Sequence, residues 1–195
     1  MPLCAPGICA TNRSHIFCSL EIRMVKALFP GTFDPIHYGH IDIAERATRL
    51  FDEVIMAVYD RPLKSLMFGP EERMGLVREA FKRNPKITVT GYSGLTVDFC
   101  RNAGAQVIVR GLRVFSDFEF EFRMALANQR LATDIETVAL ITAEQHTFLS
   151  SSTVREIASL GGDVSSMVPP YVESALKEKI LGLGELHSPP NALRD

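Results

Sequence analysis

The sequence predicts an α/β fold: a doubly wound sheet of five parallel strands with helices on both faces. Three observations carry this. Short apolar runs alternate with helical patterns from Lys26 to the last helical segment, the signature of strands joined by crossover helices. The chain has 195 residues, of which 46% are hydrophobic and 23% charged, enough for one domain with a full core. Two histidines, a hydroxyl and two glycines crowd into Gly31-Thr32-Phe33-Asp34-Pro35-Ile36-His37-Tyr38-Gly39-His40, where the first strand turns into the first helix. Open α/β sheets bind nucleotide phosphates at such turns, because unpaired backbone N–H groups and the helix dipole favour an anion there.

Element by element, the first strand is read as Lys26–Phe29. Its helix runs from about Gly39 to Leu50, with Ile43, Ala47 and Leu50 at helical spacing. Val54–Val58 is the second strand. The loop Asp60–Gly69 leads to Pro70, which suits the first position of a helix, and Glu71 and Glu72 suit its first turn. That helix ends near Lys82, before the breaker Asn84-Pro85. Ile87–Val89 is the third strand, Leu95–Ala103 a helix closed by Gly104, and Val107–Val109 a buried strand ending at Arg110-Gly111. In Phe115–Ala132 the residues Phe115, Phe118, Phe122 and Leu126 fit one helix face, while Phe118, Phe120 and Phe122 alternate as a strand would. The good helix formers of Arg123–Leu131 favour helix. Val138–Ile141 is the fifth strand. Ser150-Ser151-Ser152-Thr153 offers N-caps for a helix to about Leu160, and Pro170 opens a last helix to about Leu181.

The domain is expected to span residues 24–182. Residues 1–23 read as a flexible extension or a mis-assigned start, since Met24 stands directly before the first strand; residues 183–195 read as a loose tail. The first segment lacks the apolar centre and small-residue cleavage site of a secretory signal. It holds Cys4, Cys9 and Cys18, and with His15 these lack the tight paired spacing of structural zinc ligands. One cysteine, Cys100, lies in the main body, which fits a core independent of disulfides and a cytoplasmic location. The net charge of −2 gives no reason to expect a nucleic-acid partner or an anionic membrane. No apolar run approaches the roughly 18 residues a membrane span needs.

Neither the Walker A pattern nor G-x-G-x-x-G occurs, so a bound nucleotide would need another cradle for its phosphates. His37 and His40 are candidates, since an imidazole donor stabilises charge developing on a phosphate oxygen, and Gly39 permits close backbone approach. The plainer reading is a pair of turn histidines capping a helix; a zinc pair lacks an obvious third ligand in the main body. Arg110 and Arg113 follow a parallel strand, where two guanidinium groups suit phosphate or simply meet solvent. Lys64 sits in the loop after the second strand, another carboxyl end. N-capping accounts for one hydroxyl of Ser150–Thr153 but not for four in a row.

Together these segments resemble the nucleotidyltransferases with an HxGH signature, and most closely the phosphopantetheine adenylyltransferase family. The resemblance runs from about Val25 to Leu181. It is carried by Pro30–Pro35, by Gly39-His40-Ile41-Asp42-Ile43, by Ile108-Val109-Arg110-Gly111-Leu112-Arg113 followed by Asp117-Phe118-Glu119, and by Ser150-Ser151-Ser152. The first motif belongs to the wider superfamily; Arg-Gly-Leu-Arg followed by Asp-Phe-Glu is more specific. The resemblance implies a Rossmann-like nucleotidyltransferase fold. It also implies that ATP and 4′-phosphopantetheine give dephospho-coenzyme A and pyrophosphate, with Mg²⁺ bound mainly through the ATP phosphates and no covalent enzyme intermediate.

By position, the resemblance gives Thr32, Phe33 and His40 to ATP, with His40 catalytic. Lys64 and Arg110 would bind the phosphate of the acceptor, with Thr32 touching it too, and Thr96 would line the pantetheine arm. Gly111, Leu112, Arg113 and Glu121 would contact ATP, and His146, Thr147, Phe148, Leu149, Ser150, Ser151 and Ser152 would surround its adenine and outer phosphates. No protein metal site is implied. A homohexamer is, with the Phe-rich segment 115–122 as available apolar surface, although its periodicity equally fits a monomer core.

Some positions depart from the family pattern: His37 stands where the first histidine is often replaced, Phe120 where a tyrosine is familiar, and His146 where some members have an aromatic residue. A nicotinamide mononucleotide or glycerol 3-phosphate nucleotidyltransferase would share His40 but not the Arg110–Arg113 motif. A class I aminoacyl-tRNA synthetase would be longer and carry a lysine-rich second signature. A nucleotide sensor would not need both substrate-phosphate ligands.

Overall fold

A computed structural model describes residues 24–60 and 66–186, with side chains to residue 182. The readings made above for residues 1–23, for Lys64 and for the tail beyond Leu186 lie outside these residues.

Five parallel strands form one sheet in the order β3-β2-β1-β4-β5. They are β1 (Lys26–Gly31), β2 (Glu53–Tyr59), β3 (Ile87–Tyr92), β4 (Val107–Leu112) and β5 (Glu136–Ile141). The helices α1 (Tyr38–Ala47), α2 (Pro70–Phe81), α3 (Thr96–Asn102), α4 (Phe115–Leu131), α5 (Ser151–Ser159) and α6 (Pro170–Leu186) complete the order. β1 is central, with Leu28 in register with Ile55 on one side and Ile108 on the other.

Side chains alternate across a strand, so both faces of the sheet must be covered. Ala27, Phe29, Val54, Met56, Val58 and Val109 enter the larger core, closed by α1, α2, α5 and α6. Leu28, Ile55, Ala57 and Ile108 point the other way and pack with Tyr92, Val97 and Cys100. Each fully buried aliphatic side chain in these layers contributes roughly 1.5–3 kcal/mol.

Several boundaries differ from the sequence reading. α1 ends at Ala47, and Leu50 is 61% exposed rather than on its buried face. The chain turns there because Arg49 and Leu50 make short-range turn bonds to Arg46 and Ala47 instead of continuing the helix. β3 continues through Gly91 to Tyr92, because neighbouring β2 pairs with it along its whole length. β5 starts two residues earlier than expected, paired to Val107 and Ile108. A 3₁₀ turn at Glu144–His146 precedes α5, and α6 runs to Leu186, past the expected domain end. α4 is a helix, but it buries no residue at all: Phe115, Phe118, Phe120, Phe122 and Leu126 are exposed.

Two buried charges fix the turns at the carboxyl edge of the sheet. Arg73 of α2 is fully buried and donates to the carbonyls of Thr32, Tyr59, Phe68 and Asp60 at 2.7, 2.7, 3.2 and 3.4 Å. Asp34 is likewise fully buried; its carboxylate accepts the N–H groups of Met67 and Phe68 at 3.0 and 2.9 Å and pairs with Arg155 of α5 at 3.0 Å. The exit of β1, the exit of β2 and the start of α5 are thereby tied together.

Candidate functional site

Beyond the carboxyl ends of β1 and β4 lies a cleft of about 320 Å³. Its walls come from the turn after β1 (Thr32, Phe33), the start of α1 (His37, Gly39, His40), the end of β4 (Arg110, Gly111, Arg113), α4 (Asp117, Glu121) and the start of α5 (Ser150, Ser151, Ser152). Most of the residues singled out from sequence thus meet in one place.

The turn after β1 is shaped around Phe33. Its φ of 47° is in the left-handed region, unusual for a bulky side chain. Burial of the ring compensates: Phe33 is 1% exposed and sits edge-on to Phe29 and His40, with ring centroids 5.7 and 5.0 Å away. The ring lies so close over Gly31 that a Cβ there would meet it at 2.8 Å, so this position requires glycine.

His40 is held from two sides. The backbone N–H of His37 donates to its Nδ1 at 3.3 Å, so a neutral His40 carries its proton on Nε2. The His37 ring stacks on it with centroids 3.7 Å apart and planes 22° from parallel. His37 is almost wholly buried, and burial, reinforced by the positive fields of Arg113 and His146, lowers its pKa to about 3. A neutral ring therefore supports His40 at physiological pH. Gly39 leaves room for this stack, since a Cβ there would lie 3.1 Å from the His37 ring.

Both arginines are oriented by α4. Arg110 donates from Nε and a terminal nitrogen to the Glu121 carboxylate at 2.7 and 2.5 Å, and from its other terminal nitrogen to the Pro30 carbonyl at 2.9 Å. Arg113 repeats the pattern: Nε and one terminal nitrogen reach Asp117 at 2.9 and 3.0 Å, and the other reaches the Leu149 carbonyl at 2.6 Å. At the start of α5, Ser150 caps the helix by accepting the Thr153 N–H at 3.0 Å, and Ser151 donates to the Pro35 carbonyl at 2.9 Å. One hydroxyl caps, one ties α5 to the β1 turn, and the open helix N-terminus faces the cleft.

Other predicted residues stand apart from the cleft walls. Thr96 opens α3 and its hydroxyl lies 3.1 Å from that of Tyr92, at a neighbouring strand exit. Leu112 ends β4, and its carbonyl accepts the Thr142 N–H. His146 stacks loosely on Tyr38 with centroids 6.3 Å apart, Thr147 bonds back to Glu144, and Phe148 is exposed. Leu149 has a buried side chain and offers the site only its carbonyl. Sequence reasoning gave no role to Asp34, Arg73, Asp117 or Arg155. Asp117 was visible in the motif with Phe118 and Glu119, and Asp34 in the first motif; Arg73 and Arg155 carried no signal, since an arginine within a helix ordinarily faces water.

Among the described residues, no group of three or more His, Cys, Asp or Glu side chains is placed to hold a metal, and the two cleft carboxylates, Asp117 and Glu121, are both engaged by arginines. Also among the described residues, no helix is long and apolar enough to cross a membrane.

Comparison with known proteins places this geometry in context. Residues 28–157 match the family model described as cytidylyltransferase-like. A phosphopantetheine adenylyltransferase of Roseiflexus sp. (strain RS-1) is 57% identical over 79% of this chain and 96% of that protein. One from Methylococcus capsulatus is 51% identical over 82% of this chain and 99% of that protein. Among solved structures, a putative nicotinate-nucleotide adenylyltransferase from Vibrio parahaemolyticus superposes with a TM-score of 0.61 at 20% identity, over 80% of this chain and 99% of that one, a likeness of fold.

The His37 environment predicts a pH dependence. Its folded pKa lies below its unfolded one, so the unfolded chain takes up a proton first, and stability falls as pH drops below about 6.5. The slope is at most ~1.4 kcal/mol per pH unit. Urea unfolding at pH 7 and pH 5 should show a larger loss for the native sequence than for His37→Thr; equal losses would place the neutral His37 elsewhere.

Proposed function

The chain belongs to the cytidylyltransferase-like family and, within it, to the phosphopantetheine adenylyltransferases, and we propose that its cleft carries out their reaction by direct displacement. A phosphate oxygen of 4′-phosphopantetheine attacks the α-phosphorus of ATP. The bond from that phosphorus to the bridging oxygen breaks, and pyrophosphate leaves with the electron pair. The product is dephospho-coenzyme A, and the reaction belongs to coenzyme A biosynthesis. The observation that carries the mechanism is the convergence of His40, Arg110, Arg113 and the start of α5 on one cleft at the carboxyl edge of the sheet.

Such a reaction needs placement and charge neutralisation more than covalent chemistry from the protein. His40, with Nδ1 occupied, donates from Nε2 to the phosphate oxygens on which charge builds. Thr32 and Phe33 border the same region, and Arg113 with Gly111 and the Ser150–Ser152 backbone receives the outer phosphates, with Leu112 assigned to ATP by resemblance alone. His146–Leu149 are assigned to the adenine by family resemblance, and Glu121 stands at the nucleotide wall while orienting Arg110. Arg110 binds the acceptor phosphate; Lys64 joins it by assignment from sequence, and Thr96 is assigned to the pantetheine arm by the same resemblance. The carboxylates of the cleft, Asp117 and Glu121, are committed to arginines, so Mg²⁺ would be held mainly by the ATP phosphates, whose charge it would offset.

Two broader readings complete the proposal. The reaction is read as cytoplasmic, which the use of one cysteine in the main body supports. The exposed apolar surface of α4 supports association of copies into a homohexamer, since a contiguous exposed patch of phenylalanines is costly for a monomer in water.

A pyrophosphate-release assay with ATP and alternative acceptors tests the function. Turnover is expected with 4′-phosphopantetheine and little with nicotinamide mononucleotide; the reverse preference would sink the proposal. His40→Ala should lower kcat by roughly 10² or more, as for loss of a transition-state donor, whereas near-normal kcat would reject its role. Arg110→Ala and Lys64→Ala should raise the KM for the acceptor as well as slow the reaction. Light scattering of the purified protein should give the mass of six chains, and Phe118→Glu should reduce it; a monomeric native protein would overturn the assembly.

A further inference from the structure

We propose that Asp117 is a positioning residue that sets the guanidinium of Arg113 for the nucleotide phosphates. The inference rests on the assignment of Arg113 to ATP made above.

Arg113 lies between the end of β4 and the start of α4. Asp117 constrains its side chain. One carboxylate oxygen accepts both the backbone N–H of Arg113 at 3.2 Å and its Nε–H at 2.9 Å; the other accepts from a terminal nitrogen at 3.0 Å. Main chain and side chain of Arg113 are thus gripped by one group. The remaining terminal nitrogen donates to the Leu149 carbonyl at 2.6 Å, immediately before the Ser150 cap of α5. Three of the five N–H donors of a guanidinium are then used inside the protein, and one stays on each terminal nitrogen to meet a phosphate. Fixed in this way, the fork loses less rotamer freedom when the anion arrives.

The neighbouring arginine strengthens the case. Arg110 is held in the same manner, its Nε and one terminal nitrogen on Glu121 and the other on a backbone carbonyl. Asp117 and Glu121 are four apart on α4, so one helix face presents both carboxylates to the strand exit. Burial opposes ionisation of Asp117 most strongly, but the hydrogen bonds and charge of Arg113 outweigh it and hold the carboxyl below its usual range.

Asp117 also sits in the first turn of α4, where any acidic residue favours the helix dipole. A double-mutant cycle separates that effect from positioning. The KM values for ATP and for 4′-phosphopantetheine would be measured for the native protein, Asp117→Ala, Arg113→Ala and the double variant, with thermal melts alongside. Asp117→Ala should raise the KM for ATP roughly tenfold, as for loss of a charge-assisted pair, and leave that for 4′-phosphopantetheine within about twofold. In the Arg113→Ala background the same change should add almost nothing. If Asp117→Ala fails to fold, Asp117→Asn, which keeps the shape, is read by the same criteria. The proposal is overturned if the loss of Asp117 multiplies the Arg113→Ala defect undiminished, or if Arg113→Ala raises the KM for ATP and Asp117→Ala does not. An unchanged KM for ATP in Arg113→Ala would instead remove the assignment of Arg113 itself, and the positioning role with it.

Discussion

The carboxylate of Asp34 has no exposure to solvent, and everything that satisfies it comes from a different part of the chain. Two backbone N–H groups after β2 and the Arg155 guanidinium of α5 converge on it. An unpaired charge at such depth would cost several kcal/mol, so these three partners are held where they are as firmly as Asp34 is. Arg73 does the reverse at the same edge, spreading its donors over four backbone carbonyls. The segment between β1 and α1 is thus clamped by two buried charges of opposite sign. Its strained Phe33, the glycine beneath that ring and the His37–His40 stack follow from a turn that has no freedom to relax.

Above that turn the cleft is electrostatically prearranged. Two arginines bring positive charge to the mouth of β4, each balanced by one carboxylate of α4, while His37, held neutral by burial, adds no charge beside His40. Preset donors cost little reorganisation when charge moves through the site, which is where such sites gain their rate. The sheet supplies the rigidity: β1 and β4 are adjacent, and their carboxyl ends deliver Thr32 and Arg110 to the same opening.

Much of this was legible in the residues themselves. The alternation of apolar runs and helical patterns specified five parallel strands, because a strand buried on both faces must be continuously apolar. The cleft was legible wherever a chemistry-bearing residue sat at a strand exit, as His40, Arg110, Arg113 and Ser150–Ser152 do. What escaped depends on contacts distant in sequence. Arg73 and Arg155 look like solvent-facing helix positions until the carbonyls and carboxylate they meet are known. Leu50 fits a helical period but falls beyond the point where α1 stops. The phenylalanines of α4 have the same spacing whether they face a core or a neighbouring copy, and only the fold shows that they are exposed. Thr96, assigned by resemblance, has its hydroxyl 3.1 Å from that of Tyr92, a contact between residues of β3 and α3 that its sequence position alone does not reveal.

The proposed catalysis is one displacement at phosphorus with no covalent bond to the protein. In that proposal His40 donates to phosphate oxygens and the arginines hold them, and both line one cleft. The stereochemistry at the α-phosphorus decides the matter. With ATP made chiral at that phosphorus by oxygen isotopes and sulfur, a single in-line attack by 4′-phosphopantetheine inverts the configuration in the dephospho-coenzyme A product. Inversion is the result that direct displacement predicts; retention, which requires two successive displacements through an adenylylated side chain, would contradict it.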